Sequence, residues 1–531
     1  MRLSCAVAFA MSAVVGMAGG IHGQTRGSTA SSGFEVTEAT IDEVQSALRD
    51  GRITCRGLVD AYLARIRAYD KSGPALNAVQ TINTRAEEQA DRLDAAFKVR
   101  GPVGRLHCVP TLVKDQIDTM ELPTTHGFVG FKDFVPQTDA TVVARLKAAG
   151  ALIIGKATMG EFASGYISSM SGPIRNAYDP RRSASGSSGG TGTGVAASFA
   201  TLGIGEDTGG SVRGPAAVNA LVGLRPTLPL VSRHGMSPAR PSTDTIGPMT
   251  RTVRDAAILF DVIVGYDRND PATALSVGRI SETYTSSLLV DGLRGARIGV
   301  IRDPMNANTN SKADDYGLVR AVVDRAIARM QELGAEVVDN VTIPGVIDRL
   351  NRIYDGNVFE TERAMDAYLR SHPNAPYKSL REILLSGLVV PARARTLMET
   401  VGKSADDPGY AQLLRNQDDL RQLVFTLMAD LRIDVLVYAT FDHLPGIIAD
   451  DVMTRTILPD TAGFGNNRRL SPVLGFPAIA VPAGFIGELP VGVEFMARPF
   501  AEPDLFRMAF AFEQGTRHRR PPPLTPALRG K

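Results

Sequence analysis

Three side chains in this 531-residue sequence have types and spacing suited to acyl chemistry: Lys114, Ser187 and Ser211. The two serines lie in Gly/Ser clusters, residues 186–190 and 209–211, which flank an apolar run, residues 195–204. Glycine has no Cβ, so such loops can take positive φ and bring backbone N–H groups close to a ligand. Successive N–H groups aimed at one point make an anion site. A serine ending such a turn has its hydroxyl beside those donors, which suits a nucleophile next to an oxyanion hole. Lys114 ends the run CVPTLVK, where Val109, Leu112 and Val113 mark a half-buried strand. Taken singly, such a lysine reads as an edge residue whose amine reaches water, and the glycine clusters read as loops between helix and strand.

Taken together, in order, they resemble the amidase signature family. The shared elements are a lysine after a short apolar strand, then GSSGG (186–190), then DTGGSVR (207–213), with 73 residues from Lys114 to Ser187 and 24 from Ser187 to Ser211. A second match is GFPAIAVPAGF (475–485), LPVGVEFMARPFAE (489–502) and an apolar helix over 504–513. The resemblance covers residues 34–516. It implies one large α/β domain with a mixed, mostly parallel central sheet flanked by helices. It also implies a hydrolase that cleaves linear carboxamides through an acyl-serine, without a cofactor.

An amide is a poor electrophile with a poor leaving group, so its hydrolysis needs an activated nucleophile, donors for the oxyanion and a proton route to nitrogen. Carried over residue by residue, the resemblance makes Ser211 the nucleophile. Ser187, on a cis peptide, becomes the bridge, and Lys114 the base, neutral by virtue of burial. Backbone N–H groups around Thr208, Gly209, Gly210 and Ser211 would hold the oxyanion. Asp207 and Arg213 take support roles, orienting Ser187 and the nucleophile loop; as residues alone they read equally as an internal ion pair. Glu206 stands where the family often has Thr, Glu494 where it often has Gln, and Gly214 replaces a larger apolar residue. None of the three is expected to touch the triad. Within the family, the leader-like N-terminus fits exported bacterial members resembling peptide amidase or aryl acylamidases, and the stretch from 222 to 251 looks most like the peptide amidase group.

The elements that must position these residues follow from periodicity. Thr40 and Glu43 form a capping box, and Ile41, Val44, Ala47 and Leu48 share one helical face that ends at Gly51. Thr54 caps a second helix. Residues 77–82 read as a strand, 85–98 as an exposed helix, 140–149 as a helix and 151–154 as a buried strand. This alternation argues for a mixed α/β sheet. Residues 221–227 and 242–251 read as turn-rich. A helix over 253–264, strands over 296–301 and 336–341 with a helix (319–333) between them, and a strand over 435–439 follow. Residues 346–428 are helical, interrupted by Pro373, Pro376, Pro391 and Pro408, and are placed to line a pocket. Residues 517–531 form a basic, Pro-rich extended tail.

Composition sets further bounds. With 44% hydrophobic and 21% charged residues the chain can bury a large core. A net charge of +2 gives no reason to expect nucleic acid or an anionic membrane as partner. The seven histidines are scattered, and Cys5, Cys55 and Cys108 form no ligand cluster, so no metal is expected. Arg2 followed by an apolar run to Met17 and small residues reads as a secretory signal peptide, residues 1–23, with a polar linker at 24–33. Cleavage would leave a periplasmic or secreted protein with Cys55 and Cys108, whose pairing the sequence leaves open, as it does a homodimer. Three rivals also stay open. Ser188 fits the elbow serine of an α/β-hydrolase or esterase, with His443 or His518 as base. Gly192, Gly194 and Ala197 weakly match a dinucleotide loop. A non-catalytic binding protein of the same fold is the third.

Overall fold

The first helix, Ile41–Arg49, starts at its capping box: Thr40 Oγ1 accepts from the Glu43 N–H at 3.3 Å and Glu43 Oε2 accepts from the Thr40 N–H at 2.9 Å. Thr54 caps the second, Cys55–Tyr69, in the same way, accepting from Gly57 N–H at 3.0 Å. These and all following details come from a computed structural model that describes residues 34–458 and 465–528. The signal-peptide and linker readings, residues 1–33, lie outside the described residues. From Phe34 onward the chain makes one compact unit.

The strands in chain order are β1 (Val79–Ile82), β2 (Pro110–Lys114), β3 (Leu152–Ala157), β4 (Ile167–Ser168), β5 (Gly172–Pro173), β6 (Leu202–Asp207), β7 (Val222–Arg225), β8 (Thr245–Thr250), β9 (Arg297–Val300), β10 (Glu336–Val338), β11 (Val435–Ala439), β12 (Ala478–Ile486) and β13 (Leu489–Ala497). All but the β4–β5 pair join one mixed 11-stranded sheet, ordered β1-β3-β2-β6-β8-β7-β12-β13-β11-β9-β10. Parallel pairing groups towards the flanks, in β3-β2-β6 and β11-β9-β10, while the middle strands from β6 to β11 pair antiparallel. Side chains alternate between faces along a strand, and both faces are covered. In β11, Val435, Val437 and Ala439 enter one core cluster while Leu436 and Tyr438 enter another. Helices Val253–Ile263 and Glu502–Thr516 add Leu259, Phe260, Phe506 and Phe512 to the first cluster.

Two stretches read from sequence as turns are strands, β7 and β8, at the centre of the sheet. Their glycines mislead because they mark close approach: a Cβ on Gly247 would run into the Leu224 carbonyl, and one on Gly223 into Ala216. The helix expected from 319 begins earlier, as Asp314–Glu332, since its first turn is polar and carries Asp314 and Asp315 at the N-terminal end. Residues 346–428 are helical as expected, but Pro391 and Pro408 begin helices (Pro391–Met398 and Pro408–Asp430) where sequence read them as interruptions. Met365, Leu369, Leu380 and Leu397 of this segment pack on Phe128, Phe131 and Phe162, fixing it beside the sheet.

Cys55 and Cys108 form a disulfide, with Cα atoms 5.6 Å apart, that ties the second helix to the approach of β2. The described part of the tail has neither helix nor strand, and it is pinned to the body. Arg519 pairs with Glu38 at 2.7 Å, and the buried Arg65 donates to the carbonyls of Thr525 and Pro526 at 2.7 and 2.9 Å.

Candidate active site

β2 and β6 are adjacent and parallel, with Val113 opposite Ile204, so their C-terminal ends, at Lys114 and Asp207, emerge at the same edge of the sheet. Ligands of open α/β sheets bind at such edges. Ser187 arrives there from the loop before helix Gly189–Ala196, and Ser211 from the turn between β6 and helix Arg213–Val218. The Gly186–Ser187 peptide is cis, as the sequence led one to expect.

Lys114 Nζ, fully buried, donates to Ser187 Oγ at 2.7 Å. It also donates to Glu206 Oε2 at 2.8 Å and to the Glu206 carbonyl at 3.3 Å. Burial pushes the Lys114 amine below its ordinary value, while the carboxylate of Glu206 works in the opposite direction. The contact corrects the expectation that Glu206 stays clear of the three side chains. Parallel neighbours β2 and β6 put residue 206 beside the lysine, a register that sequence does not reveal. Glu206 is held in turn by the Thr208 hydroxyl, which donates to its Oε1.

The nucleophile loop hangs from Asp207. Its carboxylate accepts from Gly210 N–H (2.8 Å), Val212 N–H (3.1 Å), Arg213 Nε (3.2 Å) and Arg225 Nη1 (3.1 Å). Burial raises this carboxyl, but the Arg213 and Arg225 guanidiniums outweigh it and hold the group well below the usual carboxylate range. The support role assigned to Asp207 therefore falls on the loop alone; no hydrogen bond joins it to Ser187. The Gly210 N–H, counted among the oxyanion donors, is committed to Asp207. Among the described residues, the N–H groups of Thr208, Gly209 and Ser211 have no acceptor. All three residues line the cleft.

Arg213 bridges Asp207 to Glu494 and donates to the Arg468 carbonyl at 2.9 Å. Arg468 lies across the loop, its Nη1 donating to the Gly210 carbonyl at 2.6 Å. A Cβ on Gly214 would strike this guanidinium, which is why a small residue stands there. Sequence reasoning missed Arg225 and Arg468, which lie outside both motifs. Arg225 closes the apolar run VGLR, and a cation ending so apolar a stretch is the one signal that could have found it.

Ser187 and Ser211 open onto one cleft of about 430 Å³. Tyr354, Asn357, Thr361 and Arg393 of the helical segment line it together with Arg240, whose guanidinium lies over the Tyr354 ring, 4.5 Å from its centroid. A Cβ on Gly209 would meet the Tyr354 ring. The Ser187 and Ser211 hydroxyls are not joined by a hydrogen bond here; the link between the two loops is Ser188 N–H donating to the Ser211 carbonyl at 3.2 Å. Such bonds often close only with substrate in place.

The family model described as Amidase matches residues 57–506. The chain belongs to the amidase family. Among relatives of this amidase, a glutamyl-tRNA(Gln) amidotransferase subunit of Symbiobacterium thermophilum is 34% identical over 492 residues, 89% of this chain and 96% of that one. The native peptide amidase of Stenotrophomonas maltophilia is 34% identical, with a TM-score of 0.81 over 91% of this chain and 98% of its own. A bacterial aryl acylamidase is 26% identical, with a TM-score of 0.75 over 91% and 97%.

The α/β-hydrolase reading is not supported. In this amidase the Ser188 hydroxyl is buried and donates to the Glu206 carbonyl at 3.1 Å. His443 bonds Asp315 and the His518 ring lies tilted beside Phe512, 6.0 Å between centroids; neither lines the cleft. Gly192 and Gly194 are buried within helix Gly189–Ala196, packed against Pro215 and Leu112, and are not part of a phosphate loop.

Proposed function

We propose that this amidase hydrolyses linear carboxamides R–CO–NHR′ to acid and amine or ammonia through an acyl-Ser211 intermediate, with Ser187 and Lys114 carrying the proton. The reading rests on one observation: the buried Lys114 amine lies 2.7 Å from Ser187 Oγ beneath the cleft into which Ser211 opens. Attack by Ser211 on the carbonyl would place the oxyanion among the N–H groups of Thr208, Gly209 and Ser211. Each such donor is worth about 3–4 kcal/mol of barrier.

The cleft volume falls in the range of small-molecule sites. Arg240 and Arg393 line it without a carboxylate partner among the described residues, and burial together with the like charge of Arg240 holds the Arg393 guanidinium at about 10, still a cation near neutral pH. This favours amides that carry a carboxylate on the part of the substrate lying beside these two guanidiniums.

The relatives named above include, at comparable identity, an amidotransferase subunit named for glutamyl-tRNA(Gln) and an enzyme named for peptide amides. The leader-like N-terminus and the Cys55–Cys108 disulfide, a bond of oxidising compartments, favour an exported enzyme of the second kind. The test is a hydrolysis screen across C-terminal peptide amides, anilides, fatty amides and short aliphatic amides, each with and without a free carboxylate. Fluorophosphonate labelling is run alongside. Turnover with the label on Ser211, both lost in Ser211→Ala, is the expected result. Activity retained by Ser211→Ala, or a label on Ser188, overturns it. Labelling without amide turnover points to an ester substrate.

A further inference from the structure

An ammonium has three hydrogens and no lone pair, and Lys114 Nζ has three acceptors around it, Ser187 Oγ, Glu206 Oε2 and the Glu206 carbonyl. With the buried Glu206 carboxylate as its counter-ion the lysine is an ammonium, and as an ammonium it donates to Ser187. It cannot take the Ser187 proton until one of its own hydrogens leaves. The carboxylate oxygen 2.8 Å away is the group that can receive it. Both side chains are wholly buried, and Glu206 is fixed at both oxygens, by Lys114 on one and the Thr208 hydroxyl on the other.

We propose that Glu206 is the terminal proton acceptor of the relay, with Lys114 remaining an ammonium throughout. As the Ser211 oxygen bonds to the amide carbon, its proton passes to Ser187 Oγ, the Ser187 proton passes to Lys114 Nζ, and an Nζ hydrogen passes to Glu206 Oε2. Glu206 ends as a neutral acid beside an unchanged ammonium. In reverse, the same proton returns through Lys114 and Ser187 to the departing nitrogen as the C–N bond breaks. Water then attacks the acyl-serine and loses its proton along the same path, and Ser211 is reprotonated when the acid leaves. This rests on Ser211 as nucleophile and adds a residue acting through Lys114.

Two other buried carboxyl groups, Asp207 and Asp244, face the Lys114–Glu206 pair. Asp207, next along β6, is neutralised by Arg213 and Arg225. Asp244, from the loop before β8, is buried; its Oδ2 accepts the Ala239 and Arg240 N–H groups at 2.8 Å, and its Oδ1 has no hydrogen-bond partner among the described residues. Burial and the charge of Glu206 push Asp244 up to about 7.

The experiment is the pH dependence of kcat/KM on a linear amide for the wild type, Glu206→Gln and Glu206→Thr, with Ser211→Ala in parallel. A lysine–carboxylate pair loses activity only when it gains its second proton, so the wild-type acid limb falls in the carboxyl range, below pH 6. Removing the carboxylate leaves a lone lysine that must first shed a proton. The limb then moves to higher pH by a unit or more, a tenfold or greater loss at pH 6. If Lys114 alone were the base, losing the carboxylate would ease its deprotonation and the limb would move down. That shift, an unmoved limb, or a wild-type limb above pH 7 overturns the proposal; the last needs no variant to fold. Activity surviving in Ser211→Ala overturns the serine reading itself.

Discussion

Replacing Asp207 by Asn tests what holds the nucleophile loop. The carboxylate accepts five hydrogen bonds, from two backbone N–H groups and from the guanidiniums of Arg213 and Arg225. An Asn can keep the Gly210 bond through its oxygen. Its NH₂ then faces the Val212 N–H and Arg213 Nε, donor against donor; among the described residues Arg213 keeps its ion pair with Glu494 and Arg225 loses its carboxylate hydrogen bond. Removing one partner of a buried ion pair costs about 3–5 kcal/mol. With every partner fully buried, no solvent screening reduces that figure. Urea unfolding is expected to show a loss of this size at pH 7. Because the Asp207 carboxyl is held below its unfolded value, its contribution is present above about pH 4 and disappears as pH falls through the folded value, so wild type and variant converge in acid. A loop displaced by about 1 Å lowers kcat by about 100-fold with KM little changed. A variant within about 1 kcal/mol of wild type, below the range for a broken buried pair, and with full kcat would refute the reasoning and leave the loop to its backbone geometry.

Two further outcomes follow from other parts of the structure. Substituting Cys55 and Cys108 by Ser frees a loop of 53 residues, and the chain-entropy relation gives about 4 kcal/mol of lost stability, read as a lower unfolding midpoint that added reductant does not change further. His372 Nε2 lies 3.0 Å from Asp118. Burial would lower this imidazole, but Asp118 and the Tyr368 carbonyl outweigh it and raise it. The contact therefore stabilises fully below the unfolded value of about 6.5 and is lost as pH rises through the folded value. His372→Gln should speed proteolysis around helix Thr361–Ser371 at about pH 5.5 and have little effect at about pH 8.5, either side of that value; equal effects at both refute the pairing.

The chemistry was legible because Lys114, Ser187 and Ser211 sit in short, ordered stretches whose residue types are tied to what the backbone must do there. The capped helices were legible for the same reason: Thr40 and Glu43 act within four residues of each other. What sequence could not show were contacts set by strand register and distant pairing. Glu206 was visible as a departure, yet its approach to Lys114 depends on β6 lying parallel to β2. Arg225 and Arg468 reach the nucleophile loop from 18 and 258 residues away. The central strands β7 and β8 were hidden by Gly223, Gly247 and Pro248, residues that ordinarily signal turns.

The tail joins the beginning of the described body to its end. Arg65, on the buried face of the second helix, aims two of its donors at carbonyls of residues 525 and 526, and Glu38 finds its cation in Arg519. During synthesis the carbonyl of Thr525 emerges 460 residues after the arginine it will receive. Until then Arg65 can reach only its earlier partners, the Ala197 and Ser198 carbonyls, and Glu38 lacks Arg519. The native state is thus latched by residues made late.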